Sequence, residues 1–395
     1  MNILYICNDM TVSGSPKAIV TEVIELKNNG FNVVVASRTG PMVKELEKHN
    51  IKHYEIDMPI MGKCIIKDSD KISIVEYLSF LKNAFWRLRI LRAFSMVKKI
   101  VKSNKIDIIQ AHQPGPTLVA YLVAKRRIIP LILRIQHVVR NEFPYPFYKS
   151  IVSYSSKISV ITKEIEEHLI RVFNIDPKKI KIIPTAVKFK ENNSITSIEK
   201  KIDNKKGLDI LTISTLGVVK YRAVLTLLKA VKMAIEGGIN CNLTIIGDGP
   251  YRKQIEATIK ELNLCENVTM VGEVQHVVPY IMDHEVIVGV GRVAMEALYF
   301  GKLLLCCSHF SYAGLFDEKS SESISSFNFS GRNLGPETLN PEKIFEDIKK
   351  IVDLDLDTIY AMKSYNQKFF RENFSVENIM SNTISMFKEA LNNKF

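Results

Sequence analysis

A chain of 395 residues, 46% of them hydrophobic, exceeds what one core usually organises and carries apolar material for two. Its formal charge of +12 favours an acidic partner among nucleotide phosphates, anionic lipid and nucleic acid, without choosing between them. The six cysteines are scattered, with no CxxC pair and no histidine at metal spacing, which implies no structural zinc and argues for reduced thiols in a cytosolic compartment.

The first apolar run, 3–7, meets Asn8 and Asp9 too early for a signal peptide and reads as a strand. Further strands are expected at 31–36, 106–111, 131–135, 158–161 and 180–183. Helices such as 16–28 and 163–173 fit between them, the pattern of βαβ units on a parallel sheet. The longest apolar stretches, such as 128–133, stop far short of the roughly 20 residues that cross a bilayer.

Between these strands, 78–102 mixes Phe80, Phe85, Trp86, Leu88, Leu91 and Phe94 with Lys82, Arg87, Arg89, Arg92, Lys98 and Lys99. A basic amphipathic helix of this kind lies on anionic lipid, or is a domain helix that buries its aromatics and solvates its charges.

From Lys188 to Gly207 the composition shifts to Lys, Asn, Ser and Glu, which reads as a linker. A second α/β series follows, with strands at 208–214, 243–246, 268–271, 285–288 and 303–307 and helices beginning near Ala223, Tyr251, His276 and Arg292. Gly247-Asp248-Gly249-Pro250 closes one strand and lets the next helix start. After Gly335 the chain reads as helical and surface-like, ending in a helix over 375–392. Two such series with no long-period repeat predict paired Rossmann-like domains facing a cleft.

The most informative stretch is Val288 to Leu298. A buried strand end runs through Gly289 and Gly291 directly into a helix whose early N–H groups favour phosphate. Glu296, one turn further in, is placed to accept ribose hydroxyls. A plain strand-to-helix turn with a solvated or capping acid fits the same residues.

Taken together these features resemble a GT-B glycosyltransferase of family 4 (group 1). The second half carries the match through Ile210 to Ser214 with its basic loop to Lys220 and Arg222, the turn Ile245 to Arg252, Val268 to Gly272, and Gly291 to Gly301. In the first half Ser13-Gly14-Ser15, Asp107 to His112 and Ile135-Gln136-His137 are similar to the family's glycine-rich loop and its two histidine-bearing strands. The resemblance implies an acceptor domain at 1–190, a linker at 191–207, a donor domain at 208–372 and a C-terminal helix, 373–395, crossing back to the first domain.

It also implies roles. Lys220, with Arg222 on the same loop, would stabilise the leaving diphosphate without a metal, and Arg292 would add charge at the helix start. Glu296 matches the glutamate that holds nucleotide ribose, and His137 a histidine near the donor sugar, with His112 a further candidate. Gly14 would let backbone approach diphosphate or acceptor. Two departures stand out, for Val288 occupies the place of the family's other glutamate and Thr215 that of an arginine preceding the lysine. Backbone amides near Gly289 and Gly291 are expected to substitute.

The resulting expectation is a retaining, metal-independent transferase in surface polysaccharide assembly, cytoplasmic and at the inner face of the membrane. It needs no cofactor, only a nucleotide diphosphate sugar as donor, with a glycan or lipid-linked acceptor, an anionic membrane surface as a further partner and no nucleic acid. A nucleotide-sugar 2-epimerase of the same fold and a catalytically degenerate binding subunit remain alternatives. Gly289 to Ala294 also fits the dinucleotide fingerprint G-x-G-x-x-A, yet the following strand ends in Ser308-His309-Phe310 and supplies no acid for a ribose.

Overall fold

The computed structural model describes residues 1–59, 84–136, 138, 145–187 and 207–392. Residues Met1–Lys188 with Val376–Phe395 form one compact unit and Phe189–Ser375 the other. The expected linker, 191–207, lies outside the described residues apart from Gly207.

In the first unit, β1 (Asn2–Ile6), α1 (Gly14–Asn28), β2 (Asn32–Ser37), α2 (Val43–Lys48), β3 (Lys52–Glu55), α3 (Ala84–Ser103), β4 (Ile108–His112), α4 (Pro114–Arg127), β5 (Leu131–Ile135), α5 (Tyr145–Tyr154), β6 (Lys157–Val160), α6 (Lys163–Phe173) and β7 (Ile180–Ile182) follow in order. The strands build a parallel sheet in the order β3-β2-β1-β4-β5-β6-β7. Helices cover both faces, which is why Val33 to Ala36 is apolar without alternation and buried throughout. α2 and β3 were not expected. β3 reads Lys-His-Tyr-Glu at the sheet edge, with Lys52 and Glu55 exposed, so it carries little apolar signal.

The second unit contains β8 (Leu208–Ile213), α7 (Tyr221–Glu236), β9 (Cys241–Ile246), α8 (Arg252–Glu261), β10 (Val268–Gly272), α9 (Val278–Asp283), β11 (Val286–Val288), α10 (Arg292–Tyr299), β12 (Leu303–Cys307), β13 (Tyr312–Leu315), α11 (Ser321–Ser325), α12 (Pro341–Asp353) and α13 (Leu356–Phe374). Its sheet runs β10-β9-β8-β11-β12-β13, with only the last pair antiparallel. α7 buries Val224, Leu227, Leu228, Val231 and Ala234, one stripe at helical spacing, in the core that Ile210, Ile245 and Val286 share.

The surface-like reading of the C-terminal region fails for α13. Its polar Lys363 and Asn366 are buried, because Lys363 pairs with Glu285 and the Asn366 amide donates to the Lys302 carbonyl at 2.8 Å. Phe370 and Phe374 are buried beside them, and the Phe374 ring lies 5.8 Å from that of Phe329. This packing carries the second unit to Ser375, past the expected 372. The final helix, α14 (Val376–Asn392), belongs to the first unit. It buries Ile379, Met380, Met386 and Phe387 in the cluster that holds Ile19, Val20, Val23 and Leu26 of α1.

Candidate functional site

In doubly wound sheets ligands sit beyond the carboxyl ends of the strands, where the strand order reverses. In the second unit that point lies between β8 and β11, because the chain passes from β8 to β9 on one side and later adds β11 on the other. Thr212 stitches the two strand ends together, its hydroxyl donating to the Val288 carbonyl at 3.1 Å.

Lys220 caps the N-terminus of α7 and Arg222 stands in its first turn, both exposed. No acid occupies that turn. Cations at the positive end of a helix are locally unfavourable, so the loop concentrates positive potential at the end of β8.

The glycine turn departs from the sequence reading in its details. Gly291 adopts φ 55° and ψ −120°, a conformation open to glycine and strained for other residues. Its N–H donates to the Asn328 carbonyl at 3.2 Å, and the Gly289 N–H donates to the Leu305 carbonyl at 3.1 Å. These two amides are therefore committed to the fold, which narrows the expected backbone contribution to the other amides near them. A Cβ on Gly289 would come within 2.5 Å of Val293 Cγ1. The residue is glycine to let α10 fold back onto the strand end, and the unpaired amides of the helix's own first turn are what remain for a ligand.

Val288 is also not a stand-in for a ligand carboxylate. Its side chain is buried in the core of the unit as the last residue of β11, and only Gly289 to Gly291 connect it to α10. Arg292, the first residue of that helix, and Glu296, one turn further along, meet on one face, with Arg292 Nε donating to Glu296 Oε1 at 2.9 Å. The arginine is 52% exposed and the glutamate 7%, so a nearly buried carboxylate is held in place by a cation that reaches water.

Beside this turn, β12 reverses into β13 through Ser308 to Ser311. The Ser308 hydroxyl oxygen accepts from the N–H groups of Phe310 and Ser311, both at 3.1 Å, and Ser308 N–H donates to the Ser311 carbonyl at 2.9 Å. His309 and Phe310 occupy the corner with ring centres 3.9 Å apart. Partial burial lowers the His309 pKa, and the nearby charges of Lys220 and Arg222 lower it further. Neither residue stands out in the sequence. The one signal was a histidine and an aromatic directly after a strand, beside the glycine turn.

The first unit reverses its strand order between β1 and β4. Gly14 opens α1 there, exposed and with nothing within 4 Å of where a Cβ would stand. Gln113 holds the loop in place, accepting from Asn8 N–H at 3.1 Å and donating to Ser15 Oγ at 2.8 Å. His112 is 1% exposed, stacked on Tyr5 at 5.6 Å between ring centres, and takes its polar contact from Gln110 at 3.1 Å. Burial, then Arg134, pushes its pKa down to about 3, so it is a neutral interior group rather than a surface base. His137 lies outside the described residues.

Among the described residues no group of three or more His, Cys, Asp or Glu stands together as metal ligands. An open groove of about 650 Å³ between α1 and α14, lined by Glu25, Met380, Ile384 and Lys388, holds none of the expected site residues.

Residues 12–191 match the model of Glycosyltransferase Family 4 and residues 194–368 that of Glycosyl transferases group 1. An uncharacterized glycosyltransferase of Methanocaldococcus jannaschii is 22% identical over 221 residues, 51% of this chain and 54% of that protein, so the match spans about half the length of this curated relative. Among solved structures, a glycosyltransferase from Rickettsia africae superposes with a TM-score of 0.74 at 20% identity, covering 99% of both chains. HepE of Anabaena in complex with UDP gives 0.71 at 14% identity over 98% of this chain and 100% of that one. The same protein with UDP-glucose gives 0.63 at 15% over 98% and 99%.

Proposed function

We propose, for a chain that belongs to family 4 of the GT-B glycosyltransferases and so to the enzymes that transfer sugars, that the second unit holds a nucleotide diphosphate sugar and passes its sugar to a glycan or lipid-linked acceptor. The observation that carries this is the pair Arg292–Glu296, one helical turn apart in α10 after Gly291, beside the uncompensated cations of Lys220 and Arg222. A nearly buried carboxylate suits a ribose diol, and the cations suit the diphosphate whose charge grows as the glycosidic bond breaks. Transfer in this reading retains the anomeric configuration and relies on these side chains in place of a metal. HepE, which shares the fold, is seen with UDP and with UDP-glucose, which puts uridine nucleotides first among the donors to test.

A melting panel of UDP, GDP, ADP and CMP sugars tests the reading. At a hundredfold excess over Kd the right donor adds about 2.7 kcal/mol to stability, so one base is expected to raise the melting temperature and the others not. Silence across the panel overturns the donor reading and favours a degenerate binding subunit, which the short turn after Val288 also fits.

The acceptor in this reading is presented at an anionic membrane surface in surface polysaccharide assembly, on the cytoplasmic side. α3 supports it. The helix buries Ala93, Val97, Ile100 and Val101 against its own unit, while Leu88, Leu91 and Met96 remain 46%, 63% and 43% exposed among the exposed Arg87, Arg89, Arg92 and Lys99. Exposed apolar side chains among arginines are what an anionic interface takes up. Trp86 lies where no side chain is described. No helix among the described residues is long and apolar enough to cross a membrane. The protein is expected to sediment with phosphatidylglycerol vesicles at low salt and to release as salt screens the attraction. Equal sedimentation with neutral vesicles removes the membrane from the proposal.

A further inference from the structure

The family's first glutamate has no counterpart in the turn after β11, which raises the question of what touches the donor's sugar. The neighbouring strand answers it. Val288, the last residue of β11, pairs with Leu305, and β12 continues to Cys307. At ~3.3 Å per residue the β12 turn begins about 7 Å beyond the end of β11. β12 and β8 flank β11 on opposite sides, yet His309, after β12, lies close enough to Lys220 and Arg222, after β8, to feel both charges. Because β8, β11 and β12 run parallel, the corner after β12, the glycine turn after β11 and the basic loop after β8 lie side by side at one edge of the sheet. The corner is held firmly, since the single Ser311 hydroxyl proton is shared between the carbonyls of Gly331 at 2.6 Å and Ser330 at 3.0 Å, and the same segment, through Asn328, accepts the Gly291 N–H.

We infer that His309 and Phe310 form the contact surface for the pyranose of the donor. The inference rests on the nucleotide-sugar reading above and deepens it. Phosphate recognition is served by Lys220 and Arg222, whereas a neutral imidazole offers one donor and one acceptor, the complement of a sugar hydroxyl. Phe310, 49% exposed, offers nothing to a phosphate and a flat apolar face to the C–H side of a pyranose ring. Its exposure beside a site is explained by that partner. The contact supplies from a different strand what Val288, in the place of the family's other glutamate, cannot offer.

The test uses the best nucleotide of the melting panel as the free diphosphate and as its glucose, galactose and N-acetylglucosamine esters, titrated calorimetrically into the full chain. His309→Ala and Phe310→Ala are each expected to weaken the preferred sugar ester about tenfold, to narrow the gap between the glucose and galactose esters, and to leave the free diphosphate within about twofold. His309→Gln, which keeps a hydrogen-bonding group, is expected to recover part of the loss. Unchanged melting of each variant without ligand shows that the turn is intact. If the diphosphate binds and the variants discriminate between esters as the unmodified protein does, the sugar contact is overturned and the donor reading stands. If no nucleotide binds the unmodified protein, both fall.

Discussion

Lys220→Ala is expected to lower sugar transfer by about 10²–10³-fold, the usual loss when one group facing developing charge is removed, while the fold is unharmed or slightly more stable. The reason lies in where the lysine sits. It is exposed at the N-terminus of α7 in a turn without an acid, so its removal relieves a repulsion with the helix dipole of about 0.3–1 kcal/mol. An activity loss joined to unchanged or higher stability separates a charge kept for a ligand from one that holds the structure. Initial transfer rates at saturating donor and urea unfolding of the same preparation measure both sides. Near wild-type turnover removes Lys220 from the site and turns attention to Arg222.

The second large effect is expected from Glu296→Gln. A hydrogen bond to a charged group contributes about 1.5–3 kcal/mol, so the variant should bind its nucleotide about 10- to 150-fold more weakly. Arg292 loses the negative charge of its partner but is half exposed, which keeps its charge solvated and limits the penalty to the fold. The decisive measurement pairs the variant with 2′- and 3′-deoxy nucleotides in a double cycle. If the carboxylate holds the ribose, one deoxy analogue costs the unmodified protein its affinity and costs the variant little further. Equal binding of ribose and deoxyribose nucleotides by the unmodified protein would remove Glu296 from the ribose contact.

Most of the fold is legible in the chain because buried parallel strands write themselves as runs of Val, Ile and Leu. Val33 to Val35, Leu131 to Leu133 and Leu303 to Leu305 are buried on both faces, so their strands fall within a residue or two of expectation. Elements that escape lack that signal. β3 is a polar edge, and β13 is a short antiparallel strand containing Gly314 at φ 98°. α13 reads as surface because its buried Lys363 and Asn366 find their partners at Glu285 and Lys302, far back in the chain.

The sequence alone determined the alternating α/β plan and the family, because these follow from local periodicity and from motifs whose residues are near neighbours. Tertiary structure decided how the site is assembled. The Gly289 and Gly291 amides go to Leu305 and Asn328, Val288 goes to the core, and His309 comes under the charges of Lys220 and Arg222. Each outcome depends on strands brought side by side from distant parts of the chain, and a hydrogen bond or a Coulomb interaction acts on distance in space, to which spacing along the backbone is no guide.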